Sequence, residues 1–76
     1  MLRMKVRRVE RGASQAQIAR LAQMHPSTVS LIESGRLRPG LGQLRKLARA
    51  LGVPRDQAAT LLQEVGTNDR SNEPSA

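Results

Sequence analysis

A chain of 76 residues without a single Phe, Tyr, Trp or Cys has to build one small domain from aliphatic side chains. Strand-favouring aromatic residues are missing and the helix formers Ala and Leu are frequent, so the composition predicts an all-α fold and excludes disulfides and thiolate metal sites. No apolar run is long enough to span a membrane or to complete a secretory signal, which makes a cytoplasmic protein the expectation.

The charges are unevenly distributed along the chain. Residues 1–52 carry a net charge of +9, whereas residues 53–76 carry −2. A basic excess on the part that is expected to fold is the electrostatic footprint of a nucleic-acid binder. A solvated, Arg-rich surface would give the same excess, so charge alone leaves both interpretations open.

Two helices are predicted in the first part of the chain. The first has apolar residues at helical spacing and should end at Gly12, which is typical of a C-terminal cap. Its apolar face is expected to consist of Leu2, Val6, Val9 and Ala13. Ser14 is a good N-cap for the second helix. The apolar side of that helix is expected to consist of Ile18, Ala19, Leu21 and Ala22.

Three further helices are predicted beyond Pro26, which disfavours a helical residue before it and suits the first turn of a new helix. The third helix should run over 27–34 and be closed by Gly35. A basic loop is expected at 36–40. The fourth helix should follow it and end at Gly52, with an apolar stripe that consists of Leu41, Leu44, Leu47, Ala48 and Leu51. Pro54 can open a fifth, whose stripe is Ala58, Leu61, Leu62 and Val65. Residues 1–65 are therefore expected to form a compact bundle of about five short helices, and residues 66–76 a disordered polar tail.

The segment from Gln15 to Ser34 has the spacing of two short helices that meet at a steep angle. Ala19 supplies a small residue where the two backbones approach closely. The apolar residues that would fill the angle are Ile18, Ala22, Met24, Val29 and Ile32. Polar residues remain on the outer side of the second of these helices, namely Ser27, Thr28, Ser30 and Ser34.

This segment resembles the helix-turn-helix of the lambda-repressor/Cro-like family, also called the xenobiotic-response-element type. The resemblance covers about residues 2–62 and rests on four blocks in the family's order: Gly-Ala-Ser-Gln (12–15), Ser-Thr-Val-Ser-Leu-Ile-Glu-Ser-Gly (27–35), Arg-Leu-Arg-Pro (36–39) and the Leu-Ala-rich run 44–53. The chain departs from the family at three positions. Gln23 stands where a Gly with positive φ is usual, His25 where Ser or Thr is favoured, and Gly40 where a Ser or Thr usually caps the fourth helix.

The resemblance implies that the third helix lies in the major groove of DNA. The base-facing positions would be Pro26, Ser27, Ser30 and Leu31, although Leu31 could instead pack on a partner subunit. These side chains cannot make the bidentate contacts that Arg makes with guanine or Gln with adenine. Much of the specificity is therefore expected from DNA shape, with help from Arg36 or Arg38.

The resemblance also implies a set of phosphate contacts, made by Ser14, Gln15, His25, Thr28, Ser34, Arg36 and Arg38. For Gln15 and Thr28 the alternative is helix capping. His25 is expected first of all to start a helix, and a phosphate contact is its second interpretation. In the family, a Glu at the position of Glu33 pairs with an Arg of the first helix. Arg8 occupies the matching position, so a structural Arg8–Glu33 ion pair is expected.

Family members usually pair across a two-fold axis and bind half-sites about 34 Å apart. The interface candidates are Leu61, Leu62 and Val65, which would otherwise close the core.

Together these features predict a sequence-specific regulator of transcription, expected to be a repressor that binds double-stranded DNA as a homodimer on a palindromic operator at the nucleoid. No metal or cofactor is expected. No small-molecule ligand is expected either, because the chain has no room for a sensor domain. The activity of the regulator would then be controlled by its concentration, by proteolysis or by a regulatory protein partner. The alternative is a protein-interaction module such as an antitoxin with auxiliary DNA binding. RNA binding ranks lower because aromatic stacking residues are missing, and catalysis ranks last because one His without Cys offers neither a metal site nor a nucleophile–base pair.

Overall fold

Five short helices make up the computed structural model of the protein, which describes residues 1–65. They are α1 (Arg3–Glu10), α2 (Gln15–Leu21), α3 (Pro26–Glu33), α4 (Leu41–Ala50) and a 3-10 helix (Arg55–Leu62). The predicted all-α fold is thus confirmed for this part of the chain. The tail predicted at 66–76 lies outside the described residues. None of the helices within residues 1–65 has the length and apolar character needed to cross a bilayer.

The start of α2 follows from two side chains. The Oγ of Ser14 accepts a hydrogen bond from the Gln17 backbone N–H at 3.0 Å, and the Gln17 Oε1 accepts one from the Ser14 backbone N–H at 2.8 Å. This reciprocal capping box satisfies amide groups that a helix end otherwise leaves free. It confirms Ser14 as the N-cap.

All four α-helices end in the same way, with a residue at positive φ. Three of these residues are glycines, Gly12, Gly35 and Gly52, with φ of 71°, 80° and 72°. The fourth is Gln23 with φ of 58°, and the next amide, that of Met24, donates to the Ala19 carbonyl at 2.8 Å. A non-glycine residue in this left-handed region costs about 1–2 kcal/mol. The turn between α2 and α3 therefore keeps the geometry of its glycine-containing counterparts, at a cost in stability.

The core lies between all five helices. Its largest fully buried side chains are Met4, Ile18, Val29, Ile32, Leu47 and Leu61. Helix α2 packs on both α3 and α4, and the 3-10 helix packs on both α4 and α1. Each fully buried side chain of this size contributes about 1.5–3 kcal/mol. Helix α3 is thereby held by its inner face against the rest of the domain.

The predicted apolar face of α1 was wrong in one respect. Val9 is 58% exposed, whereas Met4 is fully buried. Met4 shares its helix face with Arg8, four residues on, and Arg8 points inward because it pairs with Glu33. Because a charged side chain lies on the buried face of α1, the spacing of the apolar residues alone did not identify that face. Leu21 and Leu41, placed on apolar stripes by the sequence, are likewise 63% and 61% exposed.

The fifth helix is a 3-10 helix, where the sequence predicted a continuation of the α-helical pattern to Val65. Its buried residues, Ala58 and Leu61, are three apart and so lie one above the other at three residues per turn. Leu61 is fully buried in the core, so its proposed place in a dimer interface is wrong, and the alternative that it closes the core is right. Leu62 is partly buried against the same core, and Val65 is half-buried.

The chain beyond the 3-10 helix returns to the start of α1. The Arg3 amide donates to the Gln63 carbonyl at 2.8 Å, and the Val65 amide donates to the Met1 carbonyl at 3.0 Å. Leu2 and Glu64 form an isolated antiparallel bridge between these hydrogen bonds. The segment that carries Leu62 and Val65 is therefore fixed beside α1.

Candidate nucleic-acid interface

Helix α3 has two chemically different faces. Val29, Ile32 and Glu33 are buried. The four residues with predicted base contacts, Pro26, Ser27, Ser30 and Leu31, are all exposed, and Leu31 retains 41% of its surface. The helix thus presents a row of small polar groups and one apolar side chain on the side away from the core. Hydroxyl groups of this kind can donate to or accept from base edges, and a Leu can contact a thymine methyl group.

His25 is the residue from which α3 begins. Its Nδ1 accepts a hydrogen bond from the Ser27 backbone N–H at 3.3 Å and lies 2.8 Å from the Ser27 Oγ. The ring thereby takes the part that Ser or Thr plays at other helix starts, and Pro26 follows it at the first helical position. Because His25 is the cap, Thr28 is not, and the half-buried Thr28 keeps only its predicted phosphate contact.

A buried carboxylate joins the first three helices. Glu33 of α3, whose side chain is 3% exposed, accepts hydrogen bonds from the Arg8 Nε at 2.7 Å and from the Arg8 Nη2 at 3.1 Å. Its Oε1 also accepts a hydrogen bond from the Gln15 Nε2 at 3.0 Å. The Arg8 Nη1 donates in addition to the Ala13 carbonyl at 2.9 Å. The structure therefore contains the expected Arg8–Glu33 pair, and it adds Gln15, a partner that the sequence analysis did not foresee.

This hydrogen-bond network orients the first residues of α2. The amide group of Gln15 donates one hydrogen to Glu33 and has a second to offer. The hydroxyl of Ser14 accepts from the Gln17 amide, and its own hydrogen stays free to be donated. Both side chains, predicted as phosphate contacts, are thus fixed in place while each keeps a donor.

The basic loop after α3 is anchored on the last turn of that helix. The carbonyl of Leu31 accepts hydrogen bonds from the backbone amides of Arg36 and Leu37, at 2.9 and 3.2 Å, and from the Ser34 hydroxyl at 3.0 Å. The side chains of Arg36 and Arg38 are exposed. Two cations therefore lie close to the C-terminal end of α3, and the Ser34 hydroxyl, a predicted phosphate contact, is already used within the helix.

The structure also brings together cations to which the sequence analysis gave no role. Arg45, Lys46 and Arg49 are exposed on α4, and with Arg55 and Val53 they line an open cavity of about 370 Å³. The spacing of Arg45 and Arg49, one helical turn apart, is the signal that could have indicated a common face. Residues 1–65 carry twelve basic and four acidic side chains, a net charge of +8, so these cations are far from neutralised.

Within residues 1–65, no three His, Cys, Asp or Glu side chains lie close enough together to hold a metal ion. The groups described above are hydrogen-bond donors and positive charges.

Helices α2 and α3 are short and are joined by a tight turn. The inner face of α3 packs on α2, and its polar face is exposed beside arginines. This arrangement defines a DNA-binding domain of the helix-turn-helix class. The chain belongs to the helix-turn-helix domain family, whose model matches residues 2–61. No curated protein and no solved structure shows significant similarity to the chain.

Proposed function

We propose that the protein is a sequence-specific regulator of transcription, a repressor that inserts α3 into the major groove of double-stranded DNA. The observation that carries this proposal is the two-faced character of α3. Its buried face is fixed by Val29, Ile32 and the Glu33 network, while Ser27, Ser30 and Leu31 remain exposed. A helix held rigidly by one face can present the other to base edges without reorganising.

Phosphate contacts would flank this row on both sides. Ser14 and Gln15 supply oriented donors at the start of α2, and Arg36 and Arg38 supply charge after α3. His25 and Thr28 lie on or next to α3, and we propose the same contacts for them. Ser34 could make this contact only by giving up its hydrogen bond to the Leu31 carbonyl. Contacts of this kind fix the register of a protein on the duplex, whereas the exposed row on α3 would read the bases.

Selection of bound duplexes from a random-sequence pool, followed by titration at several salt concentrations, tests the proposal. We expect a preferred site that binds about a thousandfold more tightly than bulk DNA. Replacing Arg36 and Arg38 by Gln should lower the salt slope of log K by about 1.8, because each lost phosphate contact removes about 0.9. Replacing Leu31 by Ser should change the preferred base at one position and leave the slope unchanged.

Lys46→Gln/Arg49→Gln is the matched control, because it removes the same charge from α4. Neither residue is proposed to contact a phosphate, so this variant should keep the wild-type slope. Sequence-indifferent binding by the wild type, or equal slopes for the two double variants, would overturn the assignment of α3 and its loop as the DNA-reading surface.

We also propose that the protein acts as a homodimer on a palindromic operator. The support is the apolar surface left on Leu62 and Val65, which the backbone pairing with the start of the chain holds in place. Val65→Glu should leave the core unchanged, give a monomer in sedimentation equilibrium, and reduce affinity for a palindrome to that for a half-site. A dimer that tolerates Val65→Glu would show that the two-fold contact lies elsewhere.

A further inference from the structure

The surface formed by the C-terminal end of α2 and the outer face of α4 combines positive charge with an exposed leucine. Lys46 and Arg49 line two cavities at once: the one of about 370 Å³ with Arg45, Val53 and Arg55, and a second of about 340 Å³ whose other residues are Leu21, Ala22 and Gln23. The two cavities are neighbours that share these two side chains, and we call them together the α2–α4 groove.

The α2–α4 groove lies apart from the proposed DNA-reading surface. Ser14 and Gln15 are at the N-terminal end of α2, whereas Leu21, Ala22 and Gln23 are at and beyond its C-terminal end. None of the residues proposed to contact bases or phosphates lines either cavity. The residues proposed to contact DNA and the residues that line the groove are therefore separate sets.

The charges of the groove are not compensated by the part of the chain that the structure describes. Over residues 1–65 the ion pairs are Arg8–Glu33 and the Met1 ammonium group with Glu64, and neither cavity has an acidic residue in its lining. Four cations, from Arg45, Lys46, Arg49 and Arg55, share this surface. Their mutual repulsion favours binding of a ligand that carries several negative charges.

The apolar residues of the groove indicate which class of anionic ligand fits it. Leu21 is 63% exposed at the edge of the groove, and Val53 lies at its floor. A nucleic-acid backbone would use the cations and leave the leucine in water. A polypeptide with acidic residues beside an apolar side chain would use both, since apolar anchors supply affinity and charges supply orientation. We propose that the α2–α4 groove is a docking surface for an acidic, amphipathic segment of a partner protein.

The test uses the full chain and a fluorescently labelled amphipathic peptide with Leu on one helical face and Glu on the flanking positions. We expect saturable one-to-one binding in fluorescence anisotropy, with amide shifts in NMR confined to residues 20–23 and 45–55. Lys46→Gln/Arg49→Gln should weaken this binding about tenfold, and Leu21→Ser should do the same, because each removes one of the two kinds of contact. Both changes are at exposed positions, and far-UV circular dichroism checks that the variants remain folded.

Matched controls separate docking from charge alone. Arg36→Gln/Arg38→Gln removes two cations that do not line the groove and should leave peptide affinity within about twofold, because exposed charges without direct contact contribute little. A peptide with Ser in place of every Leu should bind about tenfold more weakly.

Three results would overturn the proposal: equal losses in the two double variants, equal affinity for the Ser-substituted peptide, or NMR shifts that fall on α3. Duplex DNA that shifts residues 45–55, with a salt slope that falls in Lys46→Gln/Arg49→Gln, would identify the groove as a second nucleic-acid surface and would equally refute protein docking.

Discussion

Replacing Glu33 by Gln tests how much the buried network contributes to stability. The change keeps the shape of the side chain and removes its charge. In the best orientation the new amide oxygen takes the place of Oε1 and still accepts from the Arg8 Nη2 and the Gln15 Nε2. Its NH₂ group then faces the Arg8 Nε, so the 2.7 Å hydrogen bond is lost and a guanidinium that is 12% exposed has no counter-charge.

The size of the effect follows from two estimates. A hydrogen bond to a charged group contributes about 1.5–3 kcal/mol, and breaking one partner of a buried pair costs about 3–5 kcal/mol. Since Arg8 retains some contact with water, we expect a loss near the lower bound, about 3 kcal/mol. For a domain of this length that is a large part of the total stability and corresponds to a fall in Tm of about 12–24 °C.

The measurement is thermal and urea unfolding followed by far-UV circular dichroism, because the chain has no Trp or Tyr for fluorescence. Arg8→Met and the double variant Arg8→Met/Glu33→Gln complete a double-mutant cycle. The double variant should be more stable than the sum of the single losses predicts, by about 2 kcal/mol or more, because it removes both charges together. Additive losses, or a Glu33→Gln loss below about 1 kcal/mol, would refute the view that this pair is a buried, coupled unit.

Three further changes act on the helix ends, and each is read by the same unfolding assay. Gln23→Gly should stabilise the domain by about 0.5–1 kcal/mol, because relief of the positive φ of 58° outweighs the greater entropy that Gly loses on folding; a destabilised variant would contradict the strain. Gly52→Ala should cost more than Gly12→Ala, although both have φ near 70°, because only at Gly52 would the new Cβ meet the Arg11 Nη1, at 2.9 Å; equal losses would show that Arg11 moves aside freely. Ser14→Ala should cost about 1 kcal/mol through the lost cap, and Ser14→Thr much less; no loss in Ser14→Ala would mean that water caps the helix equally well.

Local rules explain which parts of the fold could be predicted from sequence. The cap at Ser14 and the glycine-closed helix ends depend on residues within a few positions of one another, and the structure has them where the sequence predicted them. The resemblance also indicated a positive φ at position 23, because Gly is usual there, and Gln23 adopts it.

Burial was harder to predict, because it depends on where other elements pack. Arg8 points inward to Glu33, so the buried face of α1 contains Met4 and leaves Val9 exposed. This orientation depends on where Glu33 lies in space, which the local sequence of α1 does not show. Leu61 is as apolar as an interface residue would be, yet the 3-10 helix turns it fully into the core. The contact of Gln15 with Glu33 depends on the angle between α2 and α3, which spacing alone does not fix.

The two faces of α3 have a consequence for how this protein could change its target. Ser27, Ser30 and Leu31 lie on the surface, and the residues that hold the helix are buried behind them. Substitutions at such exposed positions usually alter stability by less than about 0.5 kcal/mol. The proposed reading positions can therefore vary through selection or by design while the scaffold remains intact, so operator preference and foldability can evolve almost independently of each other.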